Sequence, residues 1–339
     1  MNPETFSTEQ LAGQRLMVGF EGKQFNAHLK FLIQDLKVGG IILFSQNVET
    51  PDQVKTLCDA MQEYARLNAQ PPLMIAIDQE GGPVARLKEP FTQFPGNSAM
   101  TGVADAVYFA QTTATELARA GINMNLAPVM DVASDEITSI MAARSFGQDP
   151  FWVSKLGLTI ISHLQQNSIM AVAKHFPGIG RTVDDSHIDL PSCECDLADL
   201  ESCDLIPFSD SIKQQVAGIM LSHVIYKKID PRWPASLSRR IALKLLRERM
   251  RFSGISLTDD LDMGAINKHY DIETAIRQIL QAEIDMTLIC HQGPNIEIAY
   301  KEILKHLRGS PETEAMGIKS VKRIMALKQK YLGIEEFGN

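Results

Sequence analysis

Eight short apolar runs recur along the chain, at 16–22, 38–47, 73–82, 122–132, 169–178, 216–226, 254–263 and 286–293. Most are continuous stretches of Val, Ile, Leu and Met rather than alternating apolar and polar positions. That is the pattern of strands buried on both faces of a parallel sheet. Between them, apolar residues three and four apart predict helices over 104–120, 151–166, 239–250 and 271–283. Thr50-Pro51 marks another helix start, with Thr as N-cap and Pro in the first turn. The tail 294–332 reads as two more helices. Eight strand-then-helix units predict a (β/α)8 barrel that occupies 1–339 as one domain, with the helices of 294–332 packed on it. A doubly wound sheet is the competing architecture. No shift in composition and no short repeat divides the chain.

Several runs stay apolar until their C-terminal end, where a reactive side chain stands. These are Asp78, Asp131, Lys174 with His175, His223, Asp259 and His291. In a barrel those ends converge on one mouth. One buried polar group at a strand end is ordinarily a satisfied structural residue. Six equivalent places are hard to explain by packing, because each unpaired group costs desolvation energy.

The segment KHFPGIGRTVDDSHIDLP, 174–191, concentrates titratable groups on a glycine-containing loop. Asp185 and His187 alternate in D-S-H, so an extended loop puts both on one side. A carboxylate beside an imidazole orients it and favours its protonated form, which suits a general acid. A loop ion pair without chemistry is the plain alternative. Pro177, Gly178 and Gly180 read as a joint, and Asp184 and Asp189 as solvated charges. Asp259, in SLTDDLDM, is a nucleophile, a base or a structural acceptor; the Asp pair lets one carboxylate face a cavity while the other caps the next helix. The stretch DQEGG, 78–82, has neither G-K-[ST] nor G-x-G-x-x-G, so a phosphate cradle is a weak reading. Arg86 either reaches back to the mouth or is solvated.

The composition is that of an ordinary globular chain, with 45% hydrophobic and 22% charged residues among 339. A net charge of −8 without a basic run argues against nucleic-acid and anionic-membrane partners. No apolar stretch approaches the ~18 residues that span a bilayer. The polar, acidic N-terminus shows no secretory signal, so a cytoplasmic location is expected. Cys193, Cys195 and Cys203 are spaced C-x-C-x7-C, which matches no zinc pattern, and reduced thiols are expected for all five cysteines.

IDQEGGPVARL, GINMNLAPVMDV, ARSFGQDP, KHFPGIG…DDSH, SHVIYKKIDPRWPASLS and LTDDLDMGAI occur in this order. Together they closely resemble glycoside hydrolase family 3, in its single-barrel β-N-acetylhexosaminidase branch, over roughly residues 10 to 330. The resemblance implies that Asp259 is the nucleophile of a retaining hydrolysis. It implies that the Asp185–His187 dyad is the general acid/base. Asp78, Arg86, Arg144, Lys174 and His175 fall at positions that hold a non-reducing N-acetylglucosamine. It implies no cofactor, no metal, a monomer, and a carbohydrate substrate drawn from peptidoglycan fragments. A phosphorylase or β-glucosidase on the same scaffold, a sugar-binding barrel without turnover, and a metal-dependent hydrolase using His175, His187 and Asp259 are the rivals. The chain departs from the family pattern at Ile179, where His is usual, and at Pro83, where Arg is usual. It also lacks the usual Ile-Gly before Arg144, and has Glu283-Ile284 where Gly-Ala is common.

Overall fold

The computed structural model describes residues 1–133, 139–182, 186 and 188–333. Eight strands form a closed parallel barrel: β1 Leu16–Val18, β2 Gly40–Leu43, β3 Met74–Ile77, β4 Met124–Asn125, β5 Met170–Phe176, β6 Gly218–Leu221, β7 Ile255–Asp260 and β8 Met286–Ile289. Each lies inside one of the eight apolar runs. Every strand pairs with its sequence neighbours, and β1 closes the ring on β8. The competing doubly wound sheet is thereby excluded.

The barrel is filled rather than hollow. Met17, Met74, Met124, Met170, Met220 and Met286 join Ile42, Leu126, Val172, Leu257 and Leu288 in one interior cluster. Residues on the other face of the strands pack against the helices in a second cluster. This two-sided burial is why the strands lack alternation.

The surrounding helices include α1 Pro51–Leu67, α2 Val103–Arg119, α3 Pro150–Gln166, α4 Leu205–Lys213, α5 Gly264–Asn267, α6 Ile272–Gln281, α7 Pro294–Leu307 and α8 Pro311–Leu332. The Thr50 side chain accepts from the Gln53 N–H and Pro51 occupies the first turn, as the sequence predicts. The helix expected over 239–250 is present as Arg240–Arg249, wound as a π-helix. α8 closes the bottom of the barrel: Ile324 and Leu327 join the interior cluster, with Tyr331 and Leu332 packed against it. Arg247 and Arg323 converge there on the fully buried Asp285, which also accepts from the Ser256 N–H. No helix among the described residues is long and apolar enough to cross a membrane.

The expectation of five reduced thiols fails. Cys193 and Cys195 are joined in a disulfide, while Cys58, Cys203 and Cys290 are free thiols. The two are alternate residues entering from the short strand Ser192–Cys193, which pairs with Ile225–Tyr226, so both sulfurs fall on one side. Disulfides persist in oxidising surroundings. The cysteine usage therefore no longer argues for a reducing compartment.

Candidate active site

The strand ends meet at the C-terminal mouth as the barrel geometry requires. Two adjoining cavities open there, one of ≈ 450 Å³ and one of ≈ 300 Å³, and both are lined by Asp78, Arg86 and Asp259. The larger has an apolar floor from Ile42, Leu126, Met220 and Leu288, with Phe44 and His291 among its lining. The smaller combines Arg144, Lys174 and His175 with an apolar side from Val84, Ile140, Met141 and Ile179. A groove of ≈ 460 Å³ also lies under the barrel. Its Lys322 and Arg323 are already paired with Glu4 and Asp285, and no strand-end group reaches it.

Lys174 is the electrostatic hub of the smaller cavity. Its Nζ lies 2.7 Å from Asp78 and 2.6 Å from Glu80, and the side chain is almost fully buried. Burial disfavours its charge, but the two carboxylates outweigh that and raise its pKa. Burial likewise opposes ionisation of Asp78, yet Lys174 and Arg86 bring its carboxyl down to about 2. Arg86 approaches Asp78 at 3.4 Å and lies over the Phe44 ring. Its Nε is buried and has no partner among the described residues. Glu80 takes Arg144 in a two-point contact, Nε at 3.0 Å and Nη2 at 2.7 Å.

His175 is fixed from behind. The fully buried Asp131 accepts from its Nδ1 at 2.8 Å and from its backbone N–H, and also from the Ile179 N–H at 2.8 Å. Nδ1 therefore carries a proton, and Nε2 faces Arg144 at 3.5 Å. Lys174 and His175 are neighbours on one strand, yet both line the cavity. The β5–β6 register shifts between Lys174 and Phe176, which breaks the usual alternation at this point.

Asp259 sits at the junction of the two cavities. Burial would raise its pKa, but His175, His223, the Asp260 N–H and Lys174 together lower it, so the carboxylate is ionised. Asp260 does not cap the following helix, contrary to the expectation for the Asp pair. Its Oδ1 accepts from the N–H groups of Asp262 and Cys290, both at 3.0 Å, which ties the ends of β7 and β8. Burial, with the nearby Asp262 and Asp259, pushes Asp260 up to about 6. The β7–β8 ladder also shifts register between Leu257 and Asp260, and both Asp259 and Asp260 line the larger cavity. His223 is buried behind them, between Ser236 Oγ at 2.6 Å and the Asp260 carbonyl at 2.8 Å.

The structure thus brings together Asp78, Arg86, Arg144, Lys174, His175 and Asp259. Asp185 and His187, assigned to acid/base work from the sequence, lie outside the described residues, as does Asp184. The joint residues are more constrained than their composition implies. A Cβ on Gly180 would stand 1.8 Å from the Val132 carbonyl oxygen, so this glycine serves close packing. Asp189 is exposed but not merely solvated: it accepts from His269 Nε2. Among the described residues, Asp260, Asp262 and His291 are the group whose ligand atoms lie close enough to hold a cation, within 4.8 Å of one another. Asp260 and Asp262 are already engaged by backbone and Asn295 donors, which accounts for their position without an ion.

Sequence reasoning missed Glu80, the residue that orders Lys174 and Arg144. Its signal was its place two residues after Asp78, which puts it on the same side of an extended segment. Asp131 was noticed as a strand-end acid without a role, and here it fixes His175.

The family model for the glycosyl hydrolase family 3 N-terminal domain matches residues 7–327. The chain belongs to this family. It is 34% identical to a beta-hexosaminidase of Alkalilimnicola ehrlichii over 301 residues, covering 86% of this chain and 84% of that relative. Among solved structures, a family 3 beta-N-acetylglucosaminidase from Paenibacillus sp. str. FPU-7 superposes with a TM-score of 0.93 at 33% identity. The match covers 99% of this chain and 65% of that longer one. A beta-N-acetylhexosaminidase from Beutenbergia cavernae matches with a TM-score of 0.86 at 27% identity, covering 95% of this chain and 98% of that one. This family 3 chain is accordingly a glycoside hydrolase.

Proposed function

We propose that this chain is a retaining β-N-acetylhexosaminidase that releases a non-reducing β-linked N-acetylglucosamine. One observation carries the reading: an ionised Asp259 stands at the junction of two cavities, beside a cluster of fixed donors and acceptors suited to sugar hydroxyls. Lys174, Arg144 and Arg86 donate to the hydroxyls, and Asp78 accepts from them. The names of the relatives add the N-acetyl sugar. In the first step Asp259 attacks the anomeric carbon while the bond to the leaving oxygen breaks. His187, oriented by Asp185, delivers the proton that oxygen needs. Water then displaces Asp259, and the neutral imidazole takes its proton. The assignment of the dyad rests on the family motif. Peptidoglycan fragments in cell-wall recycling are the substrate class to which the family resemblance extends this reading.

The test compares an aryl β-N-acetylglucosaminide with the matching β-glucoside, with product analysis in the presence and absence of phosphate. The acetamido sugar is expected to be cleaved preferentially, and the product to be the free sugar in both cases. Asp259→Ala is expected to lose at least ~10³-fold in kcat/KM, the scale on which loss of a nucleophile acts. Sugar 1-phosphate as the product, or an Asp259→Ala variant with undiminished activity, contradicts the proposal.

A further inference from the structure

The chain that follows the candidate nucleophile contacts Ser186, Ile188 and Asp189, the described residues that flank position 187. β7 ends at Asp260, and within four residues the short helix α5 begins at Gly264. Three successive donors from this segment reach the loop. The Ala265 N–H donates to the Ser186 carbonyl at 3.0 Å. The Lys268 ammonium donates to the Ile188 carbonyl at 2.6 Å. The His269 Nε2 contacts the Asp189 carboxylate at 2.5 Å. Thus the carbonyls immediately before and after residue 187 are both held, and the next side chain along is held as well.

We propose that Lys268 and His269, with the Ala265 N–H, are positioning residues that set where residue 187 stands relative to Asp259. This rests on the reading of His187 as the acid/base, and it adds the part that couples the loop to the nucleophile strand. The physical case is one of short connections. Asp259 is fixed to β7, α5 follows β7 after the three residues 261–263, and Ala265 on α5 with Lys268 just beyond it binds the carbonyls of Ser186 and Ile188. Ser186, Ile188 and Asp189 are therefore tied to the same strand end that places Asp259.

These contacts differ from ordinary surface pairs. Lys268 and His269 are exposed, and an exposed pair contributes only about 0–1 kcal/mol to stability. Their removal should leave the fold intact. Their effect belongs in the geometry of proton delivery, where a misplacement of 1 Å costs ~100-fold in rate.

The test uses leaving groups as the ruler. Lys268→Met, His269→Ala and the double variant are assayed on N-acetyl-β-glucosaminides with two kinds of aglycone. One leaves as a dinitrophenolate, which departs without a proton; the other leaves as an alcohol, which needs one. Kinetics on the alcohol substrate should show kcat/KM down by ~10- to 100-fold, in kcat rather than KM. On the dinitrophenyl substrate the first step, read as kcat/KM, should change by less than about threefold. Lys268→Arg, which retains a cationic donor for the Ile188 carbonyl, should recover most of the loss. Equal losses on both substrates, or no loss on either, overturn the proposal. His187→Ala separates this from the underlying reading. If His187→Ala shows the leaving-group dependence while Lys268→Met does not, His187 remains the acid and the anchor falls. If neither shows it, both assignments fall.

Discussion

Glu80 is the residue through which charge in the smaller cavity is balanced. It lies buried between Arg144 and Lys174, and Asp78 completes the set. Removing its charge while keeping its shape takes from Lys174 and Arg144 the carboxylate they share, and Asp78 already serves both Lys174 and Arg86. A hydrogen bond between charged groups contributes ~1.5–3 kcal/mol, equivalent to ~10- to 100-fold. Glu80→Gln is therefore expected to lower kcat/KM by that factor, chiefly through KM, because the contacts proposed for Lys174 and Arg144 with the sugar form before any bond breaks. Steady-state kinetics decide it, and an unchanged KM would contradict the arrangement. At this scale the sequence revealed the ingredients but not their partners. Asp78, Lys174, His175 and Asp259 were legible because each ends an apolar run. Glu80 was not, since a carboxylate in DQEGG gives no sign of what faces it. The Cys193–Cys195 bond was not read either, because C-x-C spacing puts two thiols on one side of a strand without saying that they are joined.

The connections that feed the barrel strands share a feature that periodicity does not report. Lys37, Ala69, Gly121, Ser168, Gln215, Arg251 and Glu283 all have positive φ, and each lies shortly before a strand. A left-handed residue after the helix turns the chain back toward the barrel, and glycine adopts that conformation without the Cβ clash. Only Gly121 uses it. Glu283 stands where the family commonly has Gly, so this departure is a local cost, with Lys319 paired to its carboxylate at 3.0 Å. Ser168 is exposed, and its φ is +60°. Ser168→Gly is expected to raise stability by up to about 1 kcal/mol, since a non-glycine residue in this region costs ~1–2 kcal/mol and glycine returns part of that as unfolded-state entropy. Ser168→Val should lower it. Urea denaturation measures both, and a less stable Ser168→Gly would count against the account. Element type was read well from the sequence, because strand burial and helix amphipathicity leave strong periodic signals. These turns were not, because six of the seven residues carry side chains that ordinarily avoid them.

Across the whole molecule, chemistry is concentrated at the top of the barrel, while α8 seals the bottom. Lys328 on α8 is fully buried, with Gln14 Oε1 as its acceptor at 2.7 Å. Burial alone lowers its pKa from 10.5 to about 7. The unfolded chain binds this proton more tightly than the folded one, so stability falls as pH drops from about 10 to about 7. Lys328→Met is expected to exceed the parent near pH 7 by on the order of 3 kcal/mol, with the gap narrowing toward pH 10. Denaturation at both pH values reads this directly, and a gap independent of pH would contradict it. The central claim concerns the other end, where Asp259 is held ionised between two cavities. The most direct measurement is to trap the glycosyl-enzyme with a fluorinated N-acetylglucosamine analogue that forms the intermediate rapidly and releases it slowly. Peptide mass spectrometry then locates the label. The account predicts one sugar, attached to the carboxyl of Asp259; a label on another residue, or turnover that never forms a covalent adduct, would contradict it.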